Sequence, residues 1–343
     1  MAQFGDVVQE FASRGLIHDS TDRADLTKRS TTSQMSAYVG FDPTSDSLHV
    51  GNLLGQISLR RFQLLGHRPV VLAGGATGMV GDPSGRSEER NLLDADTLAH
   101  NVSCIKGQLE RILDFDSGAN KAVLVDNATW TKDIPVLDFL RDVGKYITVN
   151  QMMAKDSVKS RISDGTGLSF TEFSYMLLQA NDFRHLCEHL DCEMQMGGSD
   201  QWGNIVNGVE LGRRMDGAEL FGVTTPLLTT ADGAKMGKTA AGAVWLNEAQ
   251  LPSWDFWQYW RNVDDRDVGR FLRLFTDLPL DEIRRLEALE GAEINAAKVV
   301  LANEVTRLVR GDDAARSAEA TAAATFADGG AGKDLPTLPL EPG

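Results

Sequence analysis

The sequence predicts an α/β protein in which a parallel, doubly wound sheet is followed by a smaller, all-helical domain. In the first part of the chain, short apolar runs alternate with segments of helical spacing, a pattern typical of parallel sheets whose strands are joined by helices. Strands are predicted at 35–41, 69–74 and 121–126, and a fourth, CEMQM, at 192–196. After about residue 250 the strand patterns stop, and the amphipathic stretches all have helical spacing.

The helices of the first part are predicted from apolar residues that recur every three or four positions. They lie at 5–15, 49–65, 95–114, 135–143, 171–187 and 200–214. Helix 49–65 is the clearest, because Val50, Leu53 and Ile57 repeat on one face, and either Asp46 or Ser47 is expected to cap its N-terminus.

Three segments are predicted along the 343 residues, a length that exceeds one ordinary domain. Residues 1–245 are expected to form the α/β domain, and residues 246–328 the helical domain. Residues 329–343, GGAGKDLPTLPLEPG, are rich in glycine and proline and resemble a linker more than a packed element.

The composition is that of an ordinary globular protein, with 42% apolar and 24% charged residues. No run approaches the roughly 18 apolar residues of a membrane span, and the N-terminus resembles neither a signal nor a transit peptide, so a cytoplasmic protein is expected. Three cysteines do not suggest a disulfide framework. The net charge of −15 argues against a generally basic nucleic-acid-binding surface, so any RNA contact needs a local basic patch or another module.

A ligand site is predicted where the first two strands end. Gly40, Phe41 and Asp42 fall at the carboxyl end of the first strand, and Gly74 and Gly75 fall at that of the second. In doubly wound sheets, ligands bind at the carboxyl ends of the strands, at the switch in strand order. The next helix begins near His49, and a helix N-terminus attracts anions because its first N–H groups lack partners.

Two nucleotide-binding fingerprints fail on inspection. Gly75, Gly78 and Gly81 give GxxGxxG, whereas the dinucleotide fingerprint is GxGxxG. The segment KMGKT at 235–239 suggests a phosphate-binding P-loop, but that motif requires glycine at position 232, where Asp232 stands. Its glycine-, alanine- and threonine-rich surroundings instead predict a mobile loop that carries two lysines.

A metal site is not predicted for the crowded set His185, Cys187, His189 and Cys192. On a helix His185 and His189 share a face, but Cys187 points roughly opposite to them. The set also lacks a CxxC pair or a second cluster of ligands. The segment is interpreted as a helix that runs into the strand CEMQM.

Five segments together resemble the bacterial-type tyrosyl-tRNA synthetases, a family of class I aminoacyl-tRNA synthetases. HVGN is similar to the HIGH signature of the family, with asparagine in the last place, and KMGKT is similar to its KMSKS loop. The segments occur in the family's order, across about residues 35–310. They are HVGN at 49–52, GGATGMVGDPSGR at 74–86, FTEFSYMLLQANDF at 170–183, GGSDQWGN at 197–204 and KMGKT at 235–239.

The resemblance implies a Rossmann-like catalytic domain with ATP as a substrate, Mg²⁺ carried on the ATP phosphates, and L-tyrosine and tRNA(Tyr) as the other substrates. It also implies a homodimer, and an apolar stretch near 130–155 is a candidate contact. The helical domain would lie on the anticodon side. The family usually continues beyond about residue 329 into a small RNA-binding domain, which is expected to be absent here.

The resemblance also implies a tyrosine pocket. Tyr38 and Asp182 would bind the phenolic hydroxyl, which can donate one hydrogen bond and accept another. Phenylalanine would then leave the buried carboxylate unpaired; tyrosyl-tRNA synthetases are themselves the standard example of such rejection. Tyr175 and Gln179 lie four residues apart on one predicted helix and can reach a single ligand. The implied contacts of the amino acid are Asp82, Tyr175 and Gln179 with its ammonium group and Gln201 with its carboxylate.

For the nucleotide, the resemblance implies ribose contacts from Gly198 and Asp200 and a role for Asp42 near the junction of amino acid and adenylate. Asn52 replaces the histidine of the family and keeps a hydrogen-bond donor for the ribose. Two further positions, Gly40 and Met236, are expected to touch ATP. The residues expected to stabilise charge on the leaving phosphates are Thr44, His49, Lys235 and Lys238, assisted by Arg86.

The implied reaction is in-line attack of the tyrosine carboxylate on the ATP α-phosphate, followed by transfer to tRNA. Three alternatives stay open. A tryptophanyl-type synthetase could pair Asp182 with an indole N–H but would leave Tyr38 redundant. A small-molecule nucleotidyltransferase shares the ATP chemistry but does not need this pair. A non-catalytic RNA-binding paralogue is expected to have lost charged positions, whereas His49, Lys235 and Lys238 are present.

Overall fold

The computed structural model describes residues 4–84, 93–165, 167–239 and 242–327. It divides into two compact units. The first consists of Met1–Asp46 and Leu54–Leu227, and the second of Ser47–Leu53 and Leu228–Gly343. Arg86 and the predicted linker at 329–343 lie outside the described residues. The roles assigned above to the segments 1–245 and 246–328 stay predictions.

The first unit contains a five-stranded parallel sheet, as the alternating pattern predicted. The strand order is β3-β2-β1-β4-β5. The strands are β1 (Ser36–Phe41), β2 (Arg68–Ala73), β3 (Val123–Asp126), β4 (Cys192–Gly198) and β5 (Phe221–Thr225). The first four confirm the sequence prediction. β5 was not predicted, because FGVTT is a short run whose glycine and threonines weaken the strand signal although all five residues are buried.

The strand order reverses at β1, which pairs with β2 on one side and with β4 on the other. Tyr38 is at the centre of this arrangement, opposite Val70 on β2 and Gln195 on β4. The reversal is the switch point at which doubly wound sheets bind ligands. β1 and β2 end at Phe41 and Ala73, so Asp42, Gly74 and Gly75 follow the strand ends, whereas Gly40 is the last residue but one of β1.

The helices associated with the first unit lie close to the predicted bounds. α3 is the exception to the division, since its first turn belongs to the second unit. An unpredicted helix, α2, has a polar sequence in which only Leu26 and Ser30 are buried, so it lacks a clear apolar face. The helices are α1 (Val7–Ser13), α2 (Arg23–Thr32), α3 (Val50–Leu64), α4 (Ala95–Leu109), α5 (Ala128–Thr131), α6 (Val136–Asp142), α7 (Val149–Met153), α8 (Asp156–Ser163), α9 (Phe170–Leu190) and α10 (Trp202–Asp216).

The longest of these helices, α9, carries three of the predicted site residues. Its N-terminus is capped by the Ser169 hydroxyl, which accepts a hydrogen bond from the Glu172 N–H at 3.2 Å. It ends at Asp191, whose φ of 51° lies in the left-handed region. The face toward the sheet includes Phe183 and Leu186, which pack in one apolar cluster with Tyr38. This packing places one side of α9 directly against the central strand.

The second unit is helical after residue 250, as predicted. It begins with a two-residue antiparallel pair, β6 (Lys238–Thr239) and β7 (Gly242–Ala243). Its core is aromatic: the rings of Trp260 and Phe275 are 4.9 Å apart, and Trp257 Nε1 donates to Asn303 Oδ1 at 2.7 Å. The helices are α11 (Ser253–Arg261), α12 (Asp265–Phe275), α13 (Leu280–Glu287), α14 (Ile294–Arg310) and α15 (Asp312–Ala327).

Within the described part of the chain, none of the helices combines the length and the apolar character needed to cross a membrane.

Candidate active site

The centre of the candidate pocket is a buried tyrosine whose hydroxyl has no partner. Tyr38 is only 1% exposed, and none of the described residues supplies a hydrogen bond to its Oη. Its ring packs edge-on against Phe183, with ring centroids 5.3 Å apart. Burial, and next the nearby charge of Asp182, raise the pKa of the Tyr38 phenol well above its usual value. An unsatisfied buried hydroxyl costs about 1–3 kcal/mol, so a polar ligand group that reaches it is favoured.

Asp182, the second predicted member of the pair, is 2% exposed on α9. Its Oδ1 accepts from Trp130 Nε1 at 2.8 Å, and its Oδ2 accepts from Asn127 Nδ2 at 2.9 Å. The pKa of this carboxyl is raised to about 7: burial is the main cause, the hydrogen bonds from Asn127 and Trp130 oppose the rise, and the charges of Asp42 and Asp126 add to it. Asp182 is therefore a buried acceptor near its titration point at neutral pH.

These contacts correct one expectation. The carboxylate was expected to be left unpaired if phenylalanine bound, but Asn127 and Trp130 already donate to it from within the protein. Within the described part of the chain it is the Tyr38 hydroxyl, and not the Asp182 carboxylate, that has no hydrogen-bond partner.

Asn127 and Trp130 were missed by the sequence reasoning. Asn127 directly follows β3 and is fully buried. Its amide also accepts from the Ala76 N–H at 2.7 Å and donates to Thr77 Oγ1 at 3.1 Å. Its position at the carboxyl end of a predicted strand was the available signal, since ligands in such sheets bind at that edge.

The predicted ammonium- and carboxylate-binding residues form a connected polar chain. Asp82 is buried; its Oδ1 accepts from the Ser84 N–H at 2.9 Å and its Oδ2 from Gln201 Nε2 at 2.7 Å. Gln201 Oε1 in turn accepts from Gln179 Nε2 at 3.3 Å. The other amide atom, Gln179 Oε1, is buried and finds no hydrogen-bond donor among the described residues. The structure thus brings Asp82, Gln179 and Gln201 together, as the resemblance implied.

Tyr175 connects this group to the end of the central strand. Its hydroxyl lies 3.3 and 3.4 Å from the two carboxylate oxygens of Asp42, which directly follows β1. Asp42 Oδ1 also accepts from Thr77 Oγ1 at 3.2 Å. A Cβ at Gly74 would lie 2.4 Å from that carboxylate oxygen, so a side chain at this position would displace Asp42.

The predicted nucleotide contacts of the first unit lie at strand ends where backbone is accessible. Gly40, in β1, is exposed, and a Cβ there would meet only a Leu72 methyl at 3.6 Å. Gly198 ends β4, and a Cβ on it would lie 2.5 Å from Asp200 Oδ1. Asp200 and Thr44 are both exposed, as residues that contact a ligand require.

In the second unit, the HVGN segment forms its own cap on α3. The helix begins at Val50, so the prediction that Asp46 or Ser47 caps it is wrong. The His49 imidazole takes that place, because its Nδ1 accepts from the Gly51 N–H at 3.0 Å. Asn52 Oδ1 accepts from the His49 N–H at 3.2 Å, which fixes both side chains of the motif.

The KMGKT loop packs against this first turn. Gly237 has a φ of 94°, and a Cβ on it would lie 2.9 Å from the Gly51 nitrogen and 3.5 Å from His49 Nδ1. Its carbonyl accepts from the Val244 N–H at 3.0 Å, and the Val244 carbonyl accepts from the Val50 N–H at 2.9 Å. The structure therefore brings the two sequence motifs into contact through backbone that only glycine allows.

The remaining residues of the loop differ in environment. Lys235 is exposed and pairs through its backbone with Thr229, whereas Met236 is 5% exposed. Lys238 belongs to β6, but its side chain lies outside the described residues. Within the described ranges, no group of three or more His, Cys, Asp or Glu residues is placed to hold a metal ion.

Comparison with known proteins agrees with this arrangement. The family profile described as "tRNA synthetases class I (W and Y)" matches residues 30–327. A tyrosine–tRNA ligase of Novosphingobium aromaticivorans is 64% identical over 327 residues, which make up 95% of this chain and 80% of that protein. A tyrosine–tRNA ligase of Zymomonas mobilis is 55% identical over 339 residues, 98% of this chain and 83% of that protein.

The fold comparison gives the same answer. A C-terminally truncated mitochondrial tyrosyl-tRNA synthetase of Aspergillus nidulans superposes with a TM-score of 0.85 at 31% identity, over 94% of each chain. The parallel sheet with its switch point at β1 is thus the Rossmann-like sheet that the resemblance implied. The chain belongs to the class I tRNA synthetases of the tryptophan and tyrosine type and, within them, to the tyrosyl-tRNA synthetases of bacteria.

Proposed function

We propose that this chain activates L-tyrosine with ATP to form tyrosyl-adenylate and then transfers the tyrosyl group to tRNA(Tyr). The observation that carries the proposal is the buried Tyr38 hydroxyl, which has no hydrogen-bond partner among the described residues, beside the buried Asp182 carboxylate. A phenol hydroxyl of the substrate satisfies both: it accepts from Tyr38 and donates to Asp182. An aliphatic or plain phenyl side chain satisfies neither.

The other end of the amino acid is bound by the polar chain of Asp82, Gln179 and Gln201. Its ammonium group is paired with the Asp82 carboxylate, with Gln179 Oε1 as a second acceptor that is otherwise unsatisfied. Tyr175 orients Asp42 and contributes its hydroxyl to the same group. Gln201 donates to the substrate carboxylate and thereby directs it toward ATP.

ATP is bound across the strand ends. In the first unit, Gly198 and Asp200 are assigned to the ribose, and Gly40 and Asp42 to the adenylate. In the second unit, Asn52 is assigned as a donor to the ribose, and the N-terminus of α3 is suited to phosphate because the helix dipole favours negative charge there. The side chains assigned to the phosphate end are Thr44, His49, Lys235 and Lys238, with Met236 alongside and Arg86 assisting.

The first step transfers an adenylyl group. A carboxylate oxygen of tyrosine attacks the α-phosphorus, the bond from that phosphorus to the bridging oxygen breaks, and pyrophosphate leaves. In the second step, a ribose hydroxyl at the tRNA end attacks the tyrosyl carbonyl and AMP leaves. Positioning and charge stabilisation supply the acceleration, so no nucleophilic side chain is needed. Magnesium fits as an ion held by the phosphates and water, which supplies charge neutralisation when bound.

The proposal is tested by exchange of labelled pyrophosphate into ATP in the presence of each of the twenty amino acids. We expect exchange with tyrosine alone, and charging of tRNA(Tyr) in the second assay. Exchange with tryptophan would favour a tryptophanyl-type synthetase, whereas exchange that depends on no amino acid would favour a small-molecule nucleotidyltransferase. Binding of tRNA without exchange would favour a non-catalytic paralogue.

His49→Ala is the matched test of the phosphate end. Stabilisation of the leaving phosphates acts mainly in the transition state, so the exchange rate should fall while the affinity for tyrosine stays nearly unchanged. A large loss of tyrosine affinity in this variant would contradict the assigned role.

We also propose a homodimer. The predicted contact near 130–155 contains apolar side chains that are unusually exposed: Val136 69%, Leu137 76%, Leu140 46% and Val149 62%. Patches of this kind are typical of protein–protein interfaces. Leu137→Asp should convert the dimer to a monomer in sedimentation, whereas Leu64→Asp, at a side chain that is 60% exposed on α3, should leave it intact.

Two further points concern location and tRNA binding. We propose a cytoplasmic enzyme, because the relatives of high identity are tyrosine–tRNA ligases of bacteria. The net charge of −15 opposes general attraction to RNA, so tRNA binding depends on local basic residues and should weaken steeply with salt.

A further inference from the structure

We propose that His185 is a positioning residue that sets the selectivity of the pocket for a phenol, by holding the Trp130 indole on the Asp182 carboxylate. The inference rests on the proposed function and adds one residue to it. His185 is not assigned to the substrate and acts on the Asp182 carboxylate through the side chain of Trp130. The ring contacts of His185 are with Trp130 and His189, neither of which is assigned to the substrate.

The observation behind the proposal is a stack of three rings next to the pocket. The Trp130 and His185 ring centroids are 4.2 Å apart with an interplanar angle of 15°. The His185 and His189 centroids are 4.1 Å apart with an angle of 17°. His189 is itself fixed, since its Nδ1 donates to the His185 carbonyl at 3.0 Å. The imidazole of His185 is therefore held between two aromatic faces.

The first ring of the stack, the Trp130 indole, is also a hydrogen-bond donor to Asp182. The same indole that stacks on His185 donates its Nε1–H to Asp182 Oδ1 at 2.8 Å. Trp130 is only partly buried and belongs to α5, a helix of four residues. The side chain of its N-cap residue, Asn127, does not cap it, and the Asp126 carboxylate accepts from the Ala128 N–H at 2.8 Å instead. So short a helix does not hold its own geometry. The orientation of the indole depends on what it packs against.

His185 is well placed to supply that orientation. It lies three residues after Asp182 on α9, so both side chains project from one rigid scaffold. The stack fixes the plane of the indole, and the hydrogen bond fixes its rotation within that plane. If the imidazole is removed, the indole can turn away and Asp182 keeps one donor, Asn127, instead of two.

Loss of the Trp130 hydrogen bond would weaken the binding of the substrate hydroxyl by Asp182. Hydrogen bonds from Trp130 and Asn127 are what oppose the rise in the pKa of the Asp182 carboxyl. A carboxyl that loses one of them is more often protonated at neutral pH and is a weaker acceptor for the phenol. Phenylalanine makes no hydrogen bond at this point, so its reaction should hardly respond. The effect is thus specific to the hydroxyl.

The experiment measures kcat/KM for tyrosine and phenylalanine by pyrophosphate exchange in the wild type, His185→Ala and His185→Phe. We expect kcat/KM for tyrosine to fall about 3- to 10-fold in His185→Ala, mostly through KM for tyrosine, from the loss of one aromatic pair. The values for phenylalanine and KM for ATP should be unchanged. His185→Phe should restore the wild-type ratio, because a phenyl ring can stack in the same place.

A second readout does not depend on activity. The indole Nε1–H of Trp130 should be protected from hydrogen exchange in the wild type and in His185→Phe, and should lose protection in His185→Ala. His100→Ala, which removes an exposed histidine on α4, is the control and should change neither readout.

The outcomes separate the two proposals. If the wild type fails to prefer tyrosine, the proposed function fails. If the wild type prefers tyrosine but His185→Ala retains the same tyrosine-to-phenylalanine ratio and the same indole protection, the role of His185 is refuted. An equal loss for both amino acids, or no rescue by phenylalanine at position 185, would show a merely structural role and would also overturn the proposal.

Discussion

Asp182→Asn tests how much the ionisation of the buried Asp182 carboxyl, the group proposed to bind the phenol, changes the free energy of unfolding. Burial raises the pKa of this group from the ordinary 3.8 to about 7 in the folded chain. Because the folded-state pKa is raised, protonated Asp182 stabilises the fold. That contribution is fully present below about pH 4 and is lost as the pH rises through about 7.

The magnitude follows from the shift. Roughly three pKa units at 1.36 kcal/mol each give a total of about 4 kcal/mol. Between pH 5 and pH 8, where part of the change has already occurred, the share is roughly 2.5 kcal/mol. An asparagine carries no such dependence, so the stability of the variant relative to the wild type should improve by about that amount between pH 5 and pH 8.

A second effect of the substitution does not depend on pH. The carboxylate accepts from both Asn127 and Trp130, whereas the amide of an asparagine has only one oxygen. One of the two buried donors then faces an NH₂ group and loses its acceptor, at about 1–3 kcal/mol. The variant should therefore be less stable than the wild type at pH 5, with a deficit that shrinks or reverses at pH 8.

The assay is urea unfolding followed by circular dichroism at pH 5, 6, 7 and 8, in both proteins. Asp133→Asn, which changes an exposed aspartate, is the control and should follow the wild type at every pH. A difference between Asp182→Asn and the wild type that stays constant from pH 5 to pH 8 would refute the raised pKa and the argument built on it.

Three further predictions concern other parts of the chain. Burial lowers the pKa of His67, so its neutral form stabilises the fold; stability present above about pH 6.5 should be lost as the pH falls, and urea unfolding of His67→Gln should lack this acid-dependent loss. Arg310 is buried and donates to two backbone carbonyls, so Arg310→Met should lower the free energy of unfolding by about 2–3 kcal/mol. Arg307→Met, at a more exposed arginine, should lower it by less than about 1 kcal/mol in the same assay. Gly237→Ala should reduce the pyrophosphate-exchange rate at least tenfold, because the new methyl meets the first turn of α3; Gly233→Ala, which also has a positive φ but meets nothing within 4 Å, should reduce it much less, and equal effects would contradict the packing argument.

Much of this molecule follows from its residue pattern. Alternating apolar runs and helical spacing were sufficient for four of the five strands, since a buried parallel strand leaves a continuous apolar signature. β5 was not predicted, because Gly222 and two threonines leave only two bulky apolar residues in a strand of five. The cap of α3 was also not predicted: histidine is not a usual N-cap, and the hydrogen bond from the Gly51 N–H to His49 Nδ1 is visible only in the folded chain.

The site was predicted in part for the same reason. Residues embedded in distinctive motifs, such as Asp82 and Gln201, were identified in advance, and the structure places them in contact. Asn127 and Trp130 belong to no such motif, and their importance arises from α5 meeting α9 across about 50 residues of chain. Long-range pairing of this kind has no local signal in one sequence.

The central claim is that the pocket recognises a phenolic hydroxyl through Tyr38 and Asp182. Its most direct test is the equilibrium affinity for tyrosine and for phenylalanine, measured in the wild type and in Tyr38→Phe. We expect a strong preference for tyrosine in the wild type. In the variant we expect a loss of about 5- to 10-fold in tyrosine affinity, with phenylalanine affinity unchanged or improved. Equal affinities for the two amino acids in the wild type, or an equal loss of both in the variant, would contradict it.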